Sequence, residues 1–138
     1  MKNIGKILIL LMTLNSSNCK KTESSVYTSE FEIINSTDTG LTITSWLDYR
    51  QKKSIYIEKG NSFYSKEVGE SPITAAEFWD SDSLEIKFAD NKILIYSWNR
   101  VSPTSKNILI DGWSVNKIAD RQTKRIYKIE QEHRDSAK

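Results

Sequence analysis

From residue 27 onward, apolar and polar residues alternate with a period of two in one short segment after another, the pattern of strands with one buried face. In YTSEFEII, Tyr27, Ser29, Phe31 and Ile33 share a face, while Glu30 and Glu32 take the other. A cluster of turn formers at 35–40 (NSTDTG) follows. In LTITSWLDY, Leu41, Ile43 and Leu47 point inward, and Thr42, Thr44 and Trp46 outward. A charged turn at 50–53 leads into SIYIE, with Ile55 and Ile57 inward and Tyr56 outward. Pairing Leu47 with Ile55 sets Trp46 opposite Tyr56 on the outer surface of this hairpin. Lys59-Gly60-Asn61 is the next turn, and SFYSKEV a short, weaker strand.

Residues 69–83 (GESPITAAEFWDSDS) read as a long connection containing Pro72. The strongest hairpin comes next: LEIKF, a tight Ala89-Asp90-Asn91 turn, then KILIYSW. Its first strand sets Leu84, Ile86 and Phe88 against Glu85 and Lys87. The return strand is apolar on both faces, Ile93 and Ile95 against Leu94, Tyr96 and Trp98, which predicts a central strand covered on both sides. A polar loop at 99–106 contains Pro103, and Trp79 and Trp113 fall in or beside loops. NILIDGW and RIYKIE supply two further strands, separated by a polar stretch at 114–124. The tail, 131–138, is polar and predicted to fray or form one helical turn. No segment carries a long helical stripe. About seven short strands with turn clusters between them predict an all-β fold, an antiparallel β-sandwich of immunoglobulin-like architecture, over 27–130.

The first residues change the picture. Lys2 and Lys6 precede an apolar run at 7–14 (ILILLMTL), then a small polar exit and Cys19. A spanning helix needs about 20 apolar residues, so the run reads as a secretory signal over 1–18. The box Ser16-Ser17-Asn18-Cys19 is where a bacterial lipoprotein signal places its acylated cysteine, with Ser16 in place of the usual Leu and Asn18 in place of Gly, Ala or Ser. The alternative is ordinary cleavage that leaves Cys19 a free thiol. Lipidation is preferred, because a lone exposed thiol in an exported chain is otherwise hard to account for. A covalent diacylglycerol on Cys19, with 19–26 as a tether, would attach the body to a membrane, outer membrane first; each buried methylene adds about 0.8 kcal/mol. The chain has 20 Lys plus Arg and 18 Asp plus Glu. Loss of Lys2 and Lys6 with the signal leaves 120 residues with the two counts equal at 18. The residual charge belongs to the targeting segment, and no electrostatic case for nucleic acid remains.

Candidate chemistry is sparse. His133 is the only histidine and lies in the polar tail, where nothing predicts a nucleophile held beside it. A protein zinc site needs more His and Cys ligands than this chain has. Asp80-Ser81-Asp82, with Glu77 and Glu85 nearby, could gather oxygen ligands for calcium or supply an acid and a base, but the EF-hand pattern is absent and turn residues are expected before a strand. No glycine cluster suits a phosphate. Trp46 and Tyr56, both opposite the aliphatic face, form the best candidate binding pair, since aromatic faces stack on sugar rings or on partner proteins.

In the segments FEIINSTDTGLTIT, IEKGN, DSLEIKFADNK, Asn107-Ile108-Leu109 and YKIEQEHRDSA, most of the mature chain resembles a group of small Bacteroidota lipoproteins. Lys59 stands where that group commonly has proline, and Glu132-His133-Arg134 replaces its usual acidic ending. The resemblance implies fold and location and carries no assigned activity. Taken together, the expectation is a lipid-anchored envelope protein, not an enzyme and without a cofactor. It would act as a binding or accessory module for another envelope protein or a glycan. A purely structural component is the second expectation, and a calcium-binding or carboxylate-dependent hydrolase the third.

Overall fold

The computed structural model describes residues 26–99, 103–104 and 106–138. The signal, Cys19, the tether up to residue 25 and part of the 99–106 loop lie outside the described residues. The body is a β-sandwich of two four-stranded sheets. Its strands are β1 (Tyr27–Asn35), β2 (Leu41–Leu47), β3 (Arg50–Ile57), β4 (Ser62–Gly69), β5 (Ser83–Phe88), β6 (Ile93–Ser97), β7 (Ser114–Ala119) and β8 (Gln122–Ile129). Two short helices, α1 (Ala75–Trp79) and α2 (Gln131–Ser136), sit at opposite poles. One sheet has the order β4-β1-β8-β7 and the other β3-β2-β5-β6.

The alternating positions meet as expected. Phe31 and Ile33, Leu41 and Ile43, Ile55 and Ile57, and Leu84, Ile86 and Phe88 are all buried between the sheets. Their period of two matches the pleat, so each strand turns one apolar row to the core. The first sheet is mixed, not antiparallel throughout: β1 and β8 run parallel, Phe31 opposite Arg125 and Ile33 opposite Tyr127. Strand β7 starts opposite Ile126, past the middle of β8, and runs antiparallel to it toward Gln122, so β8 rises alongside β1.

Several expectations are corrected. The 107–113 segment is a turn, because the Asn107 carbonyl accepts from the N–H groups of Ile110, Asp111 and Gly112 and its side chain accepts from Leu109 N. This folds both Ile108 and Leu109 into the core. The adjoining polar stretch is instead strand β7, exposed along its length and defined by its ladder to β8. Strand β6 is an edge, not central. Its apolar outer face is only partly covered, and its free edge is met by the C-terminus, where Ile93 and Lys138 exchange backbone hydrogen bonds of 2.8 and 3.2 Å. The 69–83 connection contains α1, opened by a capping box in which Thr74 and Glu77 cap each other's backbone N–H. The helix drops Phe78 and Trp79 into one end of the core, and Phe78 stacks on Phe31 at 4.2 Å.

The tail does not fray. His133 is fully buried: its Nδ1 accepts from Glu130 N at 3.0 Å, and its Nε2 meets the Tyr127 hydroxyl at 3.2 Å. An accepting Nδ1 means that Nε2 carries the proton, so the hydroxyl accepts from the imidazole and donates to Lys106 O at 3.1 Å. Arg134 ties the same helix down through Asp38 and Asp90, each at 2.9 Å.

Candidate functional site

The hairpin β2–β3 decides where the candidate aromatic residues go. Its turn is Asp48-Tyr49, both with positive φ (49° and 62°), as tight two-residue hairpin turns require. Leu47 therefore pairs with Arg50 instead of Ile55. A register shift after Ser45 sets Trp46 opposite Gln51, whereas Tyr56 faces Thr42. The expected Trp46–Tyr56 pair does not form. Four residues of β2 separate the two rows, about 13 Å along the strand. Tyr56 lies over Gly40, where an added Cβ would come within 2.6 Å of its hydroxyl. It walls a small hollow with Thr42 and Lys87. Tyr56 thus shields a glycine at one pole, and Trp46 stands at the other.

Around Trp46 the outer face of the second sheet forms an open groove of about 520 Å³. It is lined by Trp46, Tyr49, Asp82, Ser83, Ile95, Ser97, Trp98 and Asn99. The row Trp46–Ser83–Ser97 crosses three strands as successive ladder partners and forms the floor. Trp98 stands just past the end of β6, 44% exposed, with its indole N–H donating to Ser81 O at 3.0 Å. Alternation groups it with Leu94 and Tyr96 on one face, but those two are buried and Trp98 is not. The Ser81–Asp82 backbone threads between the two tryptophans, Asp82 N donating to Trp46 O at 2.9 Å and Trp98 N donating to Asp82 O at 3.3 Å. The backbones of both tryptophans, and the indole of Trp98, are thereby tied to one Ser81–Asp82 frame. Tyr49 is wholly exposed, at 101%, on a left-handed backbone where a bulky residue is strained.

The acidic residues do not converge. The Asp82 carboxylate accepts from the Ser83 hydroxyl at 2.9 Å and from Asp48 N at 3.3 Å. Asp80, the left-handed C-cap of α1, pairs with Lys52 at 3.3 Å. Glu77 is folded back into its capping box, and those hydrogen bonds from Thr74 hold its carboxyl below the ordinary range. Among the described residues, no three His, Cys, Asp or Glu side chains gather as metal ligands. Beneath the groove, Lys53 reaches inward to the Phe78 carbonyl with its ammonium 4.1 Å from the ring centroid. Burial lowers its pKa, against the opposing pull of Glu67 and Asp80. That lysine closes the end of α1 and lies off the groove lining.

One polar group on the floor is unusual. The Ser97 hydroxyl is buried and has no hydrogen-bond partner among the described residues. Among these residues, too, no helix is long and apolar enough to cross a membrane. No family model, curated protein or solved structure matches this chain.

Proposed function

We propose that this chain is a lipid-anchored protein of the bacterial cell envelope. It acts as a non-enzymatic binding or accessory module and meets its partner through the Trp46–Trp98 groove. The observation that carries the binding role is three accessible aromatic residues, Trp46, Tyr49 and Trp98, lining one groove, with the Trp98 indole held by the Ser81 carbonyl. Rigid, exposed aromatic side chains are the groups that dominate recognition surfaces. Attachment rests on the Ser16-Ser17-Asn18-Cys19 box and on the likeness to small Bacteroidota lipoproteins. The groove lies at the pole where the chain enters β1, and the eight residue-to-residue steps from Cys19 to Tyr27 reach at most about 28 Å. Such an anchor would keep the groove close to the bilayer.

The test is a crosslinked co-purification of the membrane-anchored protein beside a Trp46→Ala, Trp98→Ala double variant and a Tyr56→Ala control. The expected result is a discrete partner that is kept by the control and lost by the folded double variant. A partner kept by the double variant refutes the groove. Recovery of no partner by an intact fold leaves a structural component as the better reading. Mass spectrometry of the mature N-terminus reads the anchor directly, with an acylated Cys19 expected.

A further inference from the structure

We infer that the ligand of this groove is a neutral carbohydrate, its sugar faces laid on Trp46 and Trp98 and its hydroxyls taken up by Asp82 and Asn99. This rests on the binding role proposed above and narrows it to a chemical class. Three features of the groove select that class.

The first is charge. Among the described residues the lining holds one carboxylate, Asp82, and neither lysine nor arginine. Phosphate, sulfate and uronate ligands are recognised by charge-assisted hydrogen bonds from cations, which the described lining does not supply. The second is the way the groove crosses the sheet. Its floor runs over Trp46 and Ser83, in strands paired on both sides, to Ser97 on the edge strand β6. A peptide could add as a strand only along the outer edge of β6, beside the groove, so a ligand lying across the floor has to be held by side chains. The third is the mixture of groups. A sugar ring presents an apolar C–H face and a rim of hydroxyls that both donate and accept. Indole faces match the first, while a carboxylate, a serine hydroxyl and the Asn99 amide match the second. The volume, about 520 Å³, lies within the range of small-ligand sites.

The probes are arrays of neutral hexose and N-acetylhexosamine oligosaccharides, beside uronic-acid-bearing, phosphorylated and trimethylammonium-bearing probes, offered to the full chain in detergent. Binding to neutral sugars is expected, little changed between low and high salt because no ion pair forms. Trp46→Ala and Trp98→Ala should each weaken it about tenfold or more. Asn99→Ala, at an exposed position, should weaken it with no loss of melting temperature, which separates a binding role from a folding defect. Preference for the anionic or trimethylammonium probes, or steep salt dependence, overturns the inference. If no sugar binds but the co-purification yields a protein lost with Trp46 and Trp98, the carbohydrate reading falls and the binding module stands. If neither a sugar nor a protein is held, both fall.

Discussion

The two poles of the sandwich are built on opposite principles. At the pole of α2 the polar groups of the connecting segments are closed on each other. The Asn35 amide, fully buried, lies within 2.8–3.1 Å of the carbonyls of Thr39, Ile57 and Glu58, while its oxygen accepts from both the N–H and the hydroxyl of Thr37. Arg134 spans Asp38 and Asp90, and His133 is locked between Glu130 and Tyr127. At the pole of α1 the backbone is just as well tied, but aromatic rings face solvent, two successive turn residues are left-handed and Ser97 is unpartnered. The first pole spends its side chains on holding three loops together. The second holds its frame with backbone bonds and leaves side chains free for a ligand.

The sharpest break in that contrast should come from Asn35. Replacement by Ala takes the acceptor from the buried Thr37 N–H and hydroxyl and a donor from the Ile57 carbonyl, while the Thr39 and Glu58 carbonyls keep Thr37 Oγ1 and Asn61 N; each buried group left unpaired costs about 1–3 kcal/mol. Asn35→Ala should therefore lose roughly 3 kcal/mol or more in urea denaturation, at the top of what single substitutions cost. Ser97→Ala, at the other pole, removes an unpartnered hydroxyl and should leave the same midpoint unchanged or raised. Equal losses at the two sites would mean that the poles do not differ in this way.

His133 gives the next largest effect and one that depends on pH. Burial lowers its pKa from the ordinary 6.5, outweighing the opposing charge of Glu132 and the Glu130 hydrogen bond. The folded state therefore prefers the neutral ring. As pH falls through 6.5, the unfolded chain takes up a proton that the folded chain refuses, and stability drops by up to about 1.4 kcal/mol per pH unit. The drop ends once the pH passes the folded-state pKa. His133→Asn keeps an oxygen near Nδ1 to accept from Glu130 and cannot titrate. It should be less stable at pH 7.5 by about 1–2 kcal/mol, and should lose less than the parent between pH 7.5 and 5.5. A parent whose denaturation midpoint is flat over that interval contradicts the buried, neutral assignment.

How much of this was legible depends on what each residue signals locally. The faces of β1, β2 and β5 follow from alternation, because a pleat has a fixed period. Alternation does not set register, however. Asp48-Tyr49 carries none of the Asn-Gly signal of a left-handed hairpin turn, so the turn was placed at 50–53 and Trp46 assigned the wrong partner. Helix α1 did leave a trace: Thr74-x-x-Glu77 is a capping box, but five residues are too few to show a stripe. Asn107 opening a turn that ends in Asp111-Gly112 was likewise readable, since such residues bond back to their own backbone. Strand β7 left no trace, being exposed on both faces and set only by pairing with β8. Strand β6 misled because a run apolar on both faces looks central until the C-terminus is seen beside its edge. The groove itself joins β2, β5 and the end of β6, and only the ladder brings Trp98 to Trp46.

The smallest effect expected is also the one that most directly ties the α1 pole to function. Tyr49 holds φ at 62°, a region that costs a side-chain-bearing residue about 1–2 kcal/mol and glycine little. Its ring is wholly exposed, so removing it forfeits almost no burial. Tyr49→Gly should therefore stabilise the fold, by about 0.5–1 kcal/mol once the greater freedom of glycine in the unfolded chain is subtracted. The same change strips one aromatic wall from the groove. If the ring is kept there for binding, Tyr49→Gly raises the urea midpoint while partner or sugar binding weakens, and Asn at this position does the same with a smaller gain. If binding is unchanged while stability rises, Tyr49 lies outside the contact surface, and the groove reduces to Trp46 and Trp98. A fall in stability would show that the tyrosine packs in the hairpin after all, which would place this pole under the same rule as the other.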